Sequence, residues 1–295
     1  MHIPVLFQES VDALSLKKDG TYVDGTLGGA GHAAAIASHL GPDGTLIGFD
    51  LDSNAIARAE EKLSHAACRI ILVNDNFRNI ASALDERGVG HVDGILVDLG
   101  WSSFQIADAS RGLSFQEDGP LQMTFKDHPT DGDITAYDVV NTWSEHTLAD
   151  LLYAYGDETA SRKIARAIVD ARSRKLIATT GELVEVILSV LPRKPWMRTH
   201  PATKTFQALR IAVNDEYGAL KQILEDGFDR LVSGGRFAII SFHSGEDRIV
   251  KNFFRDKAHA EQAVLVTKKP ITPTEEELST NPRSRSAQLR IIQKL

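Results

Sequence analysis

The sequence predicts an α/β protein with a doubly wound, mostly parallel sheet and an inserted helical domain. Over about the first hundred residues, short apolar runs alternate four times with helical stretches. Such alternation is typical of parallel strands joined by helices that cover both faces of a sheet. The alternation stops near Gln105 and resumes with an apolar run at Arg236–Phe242. The interval is therefore predicted to be an insertion into a sheet-based domain.

The predicted elements follow in chain order. Four strands are expected before the insertion: Thr21–Asp24, Thr45–Asp50, Arg69–Asp75 and Val92–Leu99. Three amphipathic or alanine-rich helices connect them: Gly31–Leu40, Ser53–Leu63 and Phe77–Arg87. After the strand Arg236–Phe242 come a predicted helix and two further strands: Gly245–Lys257, Ala263–Lys268 and Ala287–Gln293. The usual order of the first five strands in such a sheet is 3-2-1-4-5.

The domain boundaries follow from this pattern. Residues 1–104 and 211–295 are predicted to form the sheet-based domain, and residues 105–210 the helical one. The insertion is expected to be mostly helical after Asp133. Thr180 is a candidate N-cap for a helix at Gly181–Leu191, and Pro192 would end that helix.

Composition limits the class of protein. The chain has 42% hydrophobic and 25% charged residues, and no apolar run approaches the roughly 20 residues that span a bilayer. Residues 1–16 lack the basic and apolar pattern of a secretory signal. The single cysteine, Cys68, excludes an internal disulfide framework and fits a reducing compartment. We therefore expect a cytoplasmic protein without a membrane partner.

Charge is unevenly distributed. The net charge of −7 argues against nucleic-acid binding by the whole surface. Residues 105–158 carry 11 acidic and 2 basic side chains, whereas residues 159–210 carry 11 basic and 3 acidic ones. Six basic residues are concentrated in one predicted helix: Arg162, Lys163, Arg166, Arg172, Arg174 and Lys175. A solvated helix face and a phosphate-binding surface both explain this pattern.

A second basic segment favours the phosphate-binding interpretation. Three cations surround Trp196 in the sequence: Arg193, Lys194 and Arg198. Cations beside a stacking ring suit single-stranded RNA, because the phosphates and the bases are then both bound. The basic half of the insertion is therefore a candidate RNA-binding surface.

A glycine-rich loop between Asp24 and His32 joins the first predicted strand to the first helix. Small residues there let the backbone approach a ligand and leave amide groups free at a helix N-terminus. Gly29–Ala34 matches the dinucleotide fingerprint, with Asp50 as the ribose-binding acid. In a dinucleotide site, however, the first glycine follows the strand almost directly, whereas Asp24 ends this strand five residues before Gly29.

The loop instead resembles that of class I methyltransferases, in which an acid at the strand end precedes a glycine-rich turn. That resemblance places Asp24 near the methionine part of S-adenosylmethionine. It also makes Asp50, at the end of the next strand, the acceptor of both ribose hydroxyls. Phe77 would lie near the adenine, although a lone phenylalanine is more often part of a core. A tight turn without a ligand is the alternative interpretation.

The fourth predicted strand ends near Asp98, where the ligand crevice of an open α/β sheet lies. Asp98, two compact positions and Trp101 resemble the Asp-Pro-Pro-Tyr motif of amino-methyltransferases. An exocyclic amine shares its lone pair with the ring, so it is a poor nucleophile until hydrogen bonds reorient it. Asp98 and a backbone carbonyl near Leu99 or Gly100 could accept both N–H groups. Trp101 could stack on an extruded base, or it could cover the core while Asp98 caps a helix.

For an extruded base that is a cytosine, the cysteine bears on which atom would be methylated. Enzymes that methylate C5 first add a cysteine thiolate to C6. Cys68 begins the third predicted strand, at the sheet edge and at the end opposite the crevice, so its thiol should not reach a base. Methylation of an amine needs only acceptors such as Asp98. The sequence therefore predicts N4 rather than C5.

Six segments resemble the bacterial 16S rRNA (cytosine-N4)-methyltransferase family. They are Asp24–His32, Asp98–Gln105, His200–Ile211, Ser241–Ser244, Glu246–Lys251 and Asn281–Ser286. The resemblance implies a Rossmann-like methyltransferase domain, a helical insertion that recognises the substrate, and S-adenosylmethionine as cofactor. It also implies that the target is a decoding-centre cytidine of 16S rRNA in the small ribosomal subunit. The positions that match the family's cofactor contacts are Ala30, Gly31, His32, Asp50, Phe77, Asp98 and Gln105.

The predicted catalytic set is Asp98, Gly100 and Trp101. The predicted RNA-binding set is Arg162, Lys163, Arg166, Arg193, Lys194, Arg198, Lys204 and His243. His243 follows the fifth strand and could either bond the base or orient a loop, and the role of His200 is equally open. The ten histidines form no H-x-x-x-H pair and have no cysteine partners, so no metal site is predicted.

The chain departs from the family's usual pattern at several positions. Gln122 and Thr124 stand where aspartate and arginine are usual, which makes target recognition less secure than the cofactor site. Trp101, Phe104 and Gly245 stand where valine, proline and leucine are usual. A paralogue acting on DNA or a small molecule therefore stays open, as do a homo-oligomer and a non-catalytic RNA-binding assembly factor. The intact acids at three strand ends argue against the last.

Overall fold

The computed structural model describes residues 4–100, 108–127, 129–130, 132–197 and 199–295. The chain divides into two compact units, which we call the sheet unit (residues 1–103 and 217–295) and the helical unit (residues 104–216). The boundary predicted between residues 210 and 211 falls inside the helix Thr203–Val213, all of which belongs to the helical unit. No helix in these described ranges is long and apolar enough to cross a membrane.

In the described residues, seven strands form the sheet of the sheet unit. They are β1 (Thr21–Asp24), β2 (Thr45–Phe49), β3 (Arg69–Val73), β4 (Val92–Asp98), β5 (Leu231–Ser241), β6 (Ala263–Leu265) and β7 (Gln288–Lys294). Their order is β3-β2-β1-β4-β5-β7-β6. The first five are parallel, and β7 is antiparallel to both its neighbours. The predicted mostly parallel sheet and its 3-2-1-4-5 order are confirmed.

The α-helices of the described residues are α1 (Phe7–Ala13), α2 (Gly31–His39), α3 (Ser53–Leu63), α4 (Ile80–Glu86), α5 (Ala136–Thr142), α6 (Glu145–Gly156), α7 (Ser161–Arg172), α8 (Thr180–Val190), α9 (Thr203–Val213), α10 (Glu216–Arg230), α11 (Ser244–His259) and α12 (Glu275–Thr280). Short 3-10 turns lie at Phe77–Asn79, Ala109–Arg111 and Pro282–Ser286. Helices α5 to α9 belong to the helical unit, and α10 begins at the last residue of that unit.

Both faces of the sheet are buried, which explains why its strands are nearly continuous apolar runs. Ile95 of β4 and Phe237 of β5 pack on one face together with Phe228 of α10. Leu96 packs on the other face in a cluster that contains Ile36 of α2. Because successive residues of a strand point to opposite faces, the central strands supply both cores. Helices cover both faces of the sheet, so the ends of the strands are the part of the sheet that the helices leave uncovered.

The helical unit has an apolar core of its own, to which α5, α6, α7, α8 and α9 all contribute. Arg172, at the end of α7, donates hydrogen bonds to the carbonyls of Val140 and Trp143, both at 2.6 Å. This guanidinium therefore holds α7 against the end of α5. The predicted basic helix is shorter than expected, because Arg174 and Lys175 lie beyond its last residue.

The N-terminus of α8 shows that the prediction of Thr180 as the N-cap was wrong. Thr179 is the cap: its hydroxyl accepts the Glu182 N–H (3.2 Å), and the Glu182 carboxylate accepts the Thr179 N–H (3.3 Å). This capping box needs an acid three residues after the cap, and Glu182 has that spacing from Thr179. Thr180 is buried in the first turn, where its hydroxyl accepts the Gly119 N–H (3.0 Å).

Thr179→Ala should lower the free energy of unfolding by about 1 kcal/mol, because the Glu182 N–H loses its acceptor at the helix end. Ser189→Ala, which removes an exposed hydroxyl from the same helix, should change it by less than about 0.5 kcal/mol. Urea denaturation followed by circular dichroism measures both values. Equal effects of the two substitutions would contradict the assignment of the cap.

Candidate functional site

Asp24 ends β1 with its side chain buried. Its Oδ1 accepts the Thr26 N–H (3.0 Å), whereas its buried Oδ2 makes no hydrogen bond in the described part of the chain. Burial raises the pKa of Asp24 to about 7, against the opposing effect of the Thr26 N–H and with a smaller contribution from the Asp50 carboxylate. Without a ligand, Asp24 therefore keeps a proton that a cation could displace.

The loop after Asp24 leads directly into α2. Gly28 and Ala30 have φ angles of +50° and +53°, in the left-handed region that favours glycine. Ala30 is the N-cap residue of α2 and offers no side-chain cap, so the first N–H groups of the helix have no side-chain acceptor there. At Gly31 a Cβ would overlap the ring of Pro4. The loop is thus a turn with accessible backbone donors, as the sequence predicted.

Asp50 follows β2 and organises the same loop. Its Oδ2 accepts the Gly28 N–H (2.8 Å), and its Oδ1 accepts the Asp52 N–H (2.9 Å). Burial raises its pKa, and these two N–H groups oppose that rise. Each oxygen has a second lone pair, so the carboxylate could still accept from two further donors. Its predicted contact with ribose hydroxyls is therefore compatible with its structural role.

Phe77 begins the 3-10 turn after β3 and packs against the apolar core on one face of the sheet. It lies beside the glycine loop, since a Cβ added at Gly25 would be 3.5 Å from the Phe77 Cβ. The Gly25 N–H is held by the Leu96 carbonyl (2.8 Å), which fixes the loop against β4. The fold thus brings Phe77 to the same strand ends as the predicted cofactor residues.

Asp98 ends β4, next to β1 in the sheet. Its Oδ1 is buried and makes no hydrogen bond in the described residues, and its Oδ2 lies 3.8 Å from His32 Nδ1. Burial raises the pKa of Asp98 well above its ordinary value, and the carboxylates of Asp24 and Glu246 raise it further. Asp98 Oδ1 is therefore a buried acceptor of high proton affinity on a side chain that is 23% exposed.

Thr26 links the two acids, although the sequence did not single it out. Its N–H donates to Asp24 Oδ1 (3.0 Å), and its Oγ1 accepts the Asp98 N–H (2.7 Å). One residue thereby couples the loop after β1 to the end of β4. Such a contact is long-range in sequence, so only the fold reveals it.

His32 is in the first turn of α2 and is almost fully buried. Its Nε2 lies 3.2 Å from the Val5 carbonyl, so Nε2 carries a proton, because a carbonyl can only accept. This leaves Nδ1 on the side of Asp98, and the ring stacks against Phe7 with centroids 6.0 Å apart. The segment before α1 therefore holds His32 against the site.

The chain turns out of the sheet immediately after β4. The Leu99 N–H donates to the Ile240 carbonyl (3.0 Å), and Gly100 has a φ angle of +98°, which a residue with a Cβ rarely adopts. Three predicted site residues lie outside the described residues: Trp101, Gln105 and Arg198. Of the predicted catalytic set, the structure therefore places Asp98 and Gly100.

His243 is the N-cap of α11. Its Nδ1 accepts the Glu246 N–H (3.4 Å), and the Glu246 carboxylate accepts the Phe242 N–H (2.8 Å). Of the two predicted roles of His243, this geometry supports orienting a loop. Glu246 is buried and contributes to the raised pKa of Asp98, a role that the sequence reasoning missed. Its spacing of three residues from His243 is the signal that could have found it.

The departures from the family pattern are accommodated locally. A Cβ at Gly245 would overlap the hydroxyl of Tyr217, so a tyrosine on α10 fills the space of the missing side chain. In the helical unit, the Gln122 carbonyl accepts the N–H of Ala136, the first residue of α5 (2.9 Å). Thr124 is buried, and its hydroxyl accepts the N–H two residues further on (3.2 Å). These residues support the fold without the family's usual acid and base.

Cys68 is buried at the amino end of β3, the edge strand. Burial raises the pKa of its thiol, so the thiolate is disfavoured. Asp98 lies at the opposite, carboxyl end of the sheet, and two strands separate β3 from β4. The predicted position of Cys68, at the amino end of the edge strand and opposite the end that carries Asp98, is confirmed.

The predicted RNA-binding residues of the helical unit begin in the first turn of α7. Arg162 and Lys163 line a cleft of about 750 Å³ together with Tyr153, whose side chain is exposed. Within the described part of the chain, neither cation has a carboxylate partner. Arg166 lies 3.4 Å (Nε to Oε1) from Glu145, which partly neutralises it. The cleft is therefore positively charged on the α7 side.

A second basic segment follows α8. Trp196 is 74% exposed, and the Lys194 ammonium lies 5.3 Å from its ring centroid. Lys204 donates to the Asp157 carbonyl (2.8 Å). His200 packs against Phe115 with ring centroids 4.9 Å apart, and burial lowers its pKa, with a further contribution from Arg193.

A doubly wound, mostly parallel sheet with a glycine loop between β1 and α2, and with acids at the ends of β1, β2 and β4, defines a Rossmann-like class I methyltransferase. The profile of the MraW methylase family matches residues 1–295. The chain belongs to this family and is an S-adenosylmethionine-dependent methyltransferase.

Two curated relatives are similar over the whole chain. Ribosomal RNA small subunit methyltransferase H of Clostridioides difficile (strain 630) is 44% identical over 310 residues, covering 100% of this chain and 99% of the relative. The protein of the same name from Clostridium botulinum (strain Kyoto / Type A2) is 45% identical over 309 residues, with the same coverage of 100% and 99%. A solved rRNA methylase from Streptococcus thermophilus is 14% identical with a TM-score of 0.45, covering 100% of this chain and 99% of that one. At this TM-score the similarity carries no argument, so the fold is assigned from the strand order of the sheet.

The residues present fit this cofactor. S-adenosylmethionine carries positive charge on its sulfonium and amino groups, and its ribose carries two hydroxyls. The unpaired, buried Asp24 Oδ2 suits a cation, because an unsatisfied buried oxygen costs free energy that pairing would recover. Asp50 has acceptor capacity left for hydroxyls, and the N–H of the half-buried Gly31, the first residue of α2, could bind a further polar atom.

The raised pKa of Asp24 also affects the stability of the cofactor-free chain. Asp24 keeps its proton up to about pH 7 when folded, whereas an aspartate of the unfolded chain releases it near about pH 3.9. The folded state therefore binds more protons between these values. Ionisation of Asp24 consequently lowers the free energy of unfolding as the pH rises from about 4 to about 7, and the loss is complete above the folded pKa.

Affinity for S-adenosylmethionine should rise with pH up to about 7 and then level off, because the cationic ligand favours ionised Asp24. Below the pKa we expect affinity to fall by up to about tenfold per pH unit. Asp24→Asn should bind weakly and lose this dependence, whereas the exposed Asp43→Asn should keep it. Isothermal titration calorimetry across this pH range measures both. A wild-type affinity independent of pH would exclude Asp24 as the cation-binding group.

Proposed function

We propose that this chain methylates N4 of a cytidine in 16S rRNA, near the decoding centre of the small ribosomal subunit. The methyl-transfer class comes from the family, and the curated relatives named above act on small-subunit ribosomal RNA by their names. The cytidine, its N4 position and the decoding centre come from the resemblance of the six sequence segments. The observation that carries the choice of an amine is the buried, unpaired Asp98 Oδ1 at the end of β4.

Asp98 would activate the amine and receive its proton. A hydrogen bond from N4 to Asp98 Oδ1 would turn the nitrogen lone pair out of conjugation with the ring. Once the nitrogen has bonded to the methyl group, it carries one proton too many. With the positively charged cofactor bound, Asp98 would be ionised, and its high proton affinity would then suit it to accept that proton, since a carboxylate of higher proton affinity is the stronger base. Asp98 would thus first orient the lone pair and then act as the base.

The acids and loop of β1 and β2 would hold the cofactor. Asp24 would pair with its positive charge, Asp50 would accept from its ribose, and Phe77 would contact its adenine. Ala30, Gly31 and His32, at the start of α2, would provide the remaining contacts. When bound, S-adenosylmethionine supplies a methyl group on a positively charged sulfur, which leaves with the bonding electrons as the amine attacks.

The substrate would be held partly by the helical unit. Arg162 and Lys163 in the α7 cleft, and Lys194 beside the exposed Trp196, suit phosphates and a stacked base. Arg193, Lys204 and Arg198 extend the predicted set, while Arg166 would contribute less because Glu145 partly neutralises it. A contact of His243 with the base stays a prediction beside its capping role.

Asp98→Ala should reduce turnover at saturating cofactor by at least about a hundredfold, because both orientation and proton transfer are lost. Cys68→Ser should retain near-normal turnover, since the thiol is buried far from the crevice. Nucleoside mass spectrometry of the methylated rRNA should find N4-methylcytidine. A product of 5-methylcytidine, or an inactive but folded Cys68→Ser variant, would overturn the mechanism.

Replacing both Arg162 and Lys163 with glutamine should weaken rRNA binding and reduce its dependence on salt. We expect the slope of log affinity against log salt to fall by about 0.7 for each lost phosphate contact. Affinity for S-adenosylmethionine should not change. The matched control is Lys221→Gln, an exposed lysine on α10. An unchanged slope in the double variant would mean that this face of α7 is only solvated.

A further inference from the structure

The 3-10 turn before β7 carries two arginines, one on either side of a buried serine. Ser284 is fully buried, and its hydroxyl donates to the Asn281 carbonyl (2.8 Å). The Ala287 N–H donates back to the Ser284 carbonyl (2.8 Å). Arg283 and Arg285, on either side of Ser284, are both exposed. We call Arg283–Arg285 the basic turn; neither the cofactor site nor the predicted RNA-binding set includes it.

The register of the sheet places the basic turn at the carboxyl ends of the parallel strands, where the acids lie. Asp98 of β4 is in register with Ile240 of β5, and the next residue of β5, Ser241, is in register with Gln288 at the start of β7. The turn therefore enters β7 at the carboxyl ends of the parallel strands. Two strand spacings separate β4 from β7, which is about 10 Å.

Contacts on the other side of the turn lead to the same place. The preceding helix, α12, is joined to the N-terminal segment, because the Leu6 N–H donates to Glu277 Oε1 (2.9 Å). The residue before Leu6, Val5, accepts from His32 at the start of α2. Ala287, directly after the turn, packs in the same apolar cluster as Ala30 of the glycine loop. The turn is thus fixed relative to the predicted cofactor site.

Within the basic turn, Arg285 keeps its positive charge. In the described ranges Arg285 has no carboxylate within ion-pair distance. Asp247, at the start of α11, is occupied by Arg290 through two hydrogen bonds (2.6 and 3.1 Å). The exposed acids of α12, Glu275 and Glu276, are in its first turn, at the end of the helix away from Pro282. A rigid, cationic turn in a chain of net charge −7 suits an anionic partner.

We propose that the basic turn binds the RNA backbone within a few nucleotides of the target base. This inference rests on the proposed function, and it adds a phosphate contact from the sheet unit itself. A guanidinium matches the geometry of a phosphate better than an ammonium does, because it can donate two parallel hydrogen bonds. The contact would hold the strand while the target base enters the crevice at Asp98.

Two variants of the full chain test the proposal on in vitro-transcribed 16S rRNA. One carries Arg285→Gln, and the other combines it with Arg283→Gln. We expect affinity to fall by about tenfold for Arg285→Gln at low salt, and the slope of log affinity against log salt to fall by about 0.7 per contact. KM for rRNA should rise with little change in kcat, and affinity for S-adenosylmethionine should be unchanged. Arg285→Lys keeps the charge and should keep the salt slope.

The matched control is Arg69→Gln, an exposed arginine at the amino end of β3, on the opposite edge of the same sheet. If Arg285→Gln behaves like Arg69→Gln while the wild type binds and methylates rRNA, the inference is wrong and the proposed function stands. If Arg285→Lys loses the slope as well, or if cofactor affinity falls, the turn is structural and the inference is wrong. A wild type that neither binds nor methylates rRNA overturns both proposals.

Discussion

Burial of carboxylates at the ends of β1, β2 and β4 is the constraint on which the rest of the site depends. Asp50 accepts two backbone N–H groups, and Asp24 accepts one with its other oxygen unpaired. In the described residues, Asp98 has a buried oxygen without a hydrogen bond, and its other oxygen lies 3.8 Å from His32 Nδ1. An unpaired buried oxygen costs free energy, so the fold must be stabilised elsewhere and a ligand with donors or positive charge is favoured. Asp50 is therefore already used in holding the glycine loop, whereas Asp24 and Asp98 each keep one oxygen without a hydrogen bond in the described residues.

Two devices position these acids without neutralising them. Thr26 ties the loop after β1 to the end of β4 by accepting the Asp98 N–H and donating to Asp24. The pair of His243 and Glu246 caps α11 and leaves a buried negative charge near Asp98. Thr26 provides no cation, and the Glu246 carboxylate raises the pKa of Asp98. A negatively charged site of high proton affinity suits an enzyme that binds a cationic cofactor.

In the helical unit, the acidic and basic halves of the insertion have different uses. The acids of its first half are used in local structure: Asp138 completes the capping box of α5, Asp118 accepts the Gly181 N–H, and Asp133 pairs with Lys126. These three acids are therefore not available to neutralise Arg162 and Lys163, whereas Asp150 of the same half lines the cleft with them. Arg172, by contrast, is held by carbonyls at the end of α5. A charge count along the sequence cannot make this distinction, because it depends on which groups meet in the fold.

The sequence by itself determined the parallel sheet, its strand order, the glycine loop and the acids Asp24, Asp50 and Asp98. These features depend on local patterns, namely apolar runs, turn residues and the polar residue that ends each strand. Only the tertiary structure decided that Thr179 rather than Thr180 caps α8, that Thr26 joins two strand ends, and that Arg285 lies on the same edge as Asp98. Each of these depends on burial or on hydrogen bonds between residues whose neighbours are set by packing. Local propensity does not contain that information, because the same residue types would be equally at home in solvent.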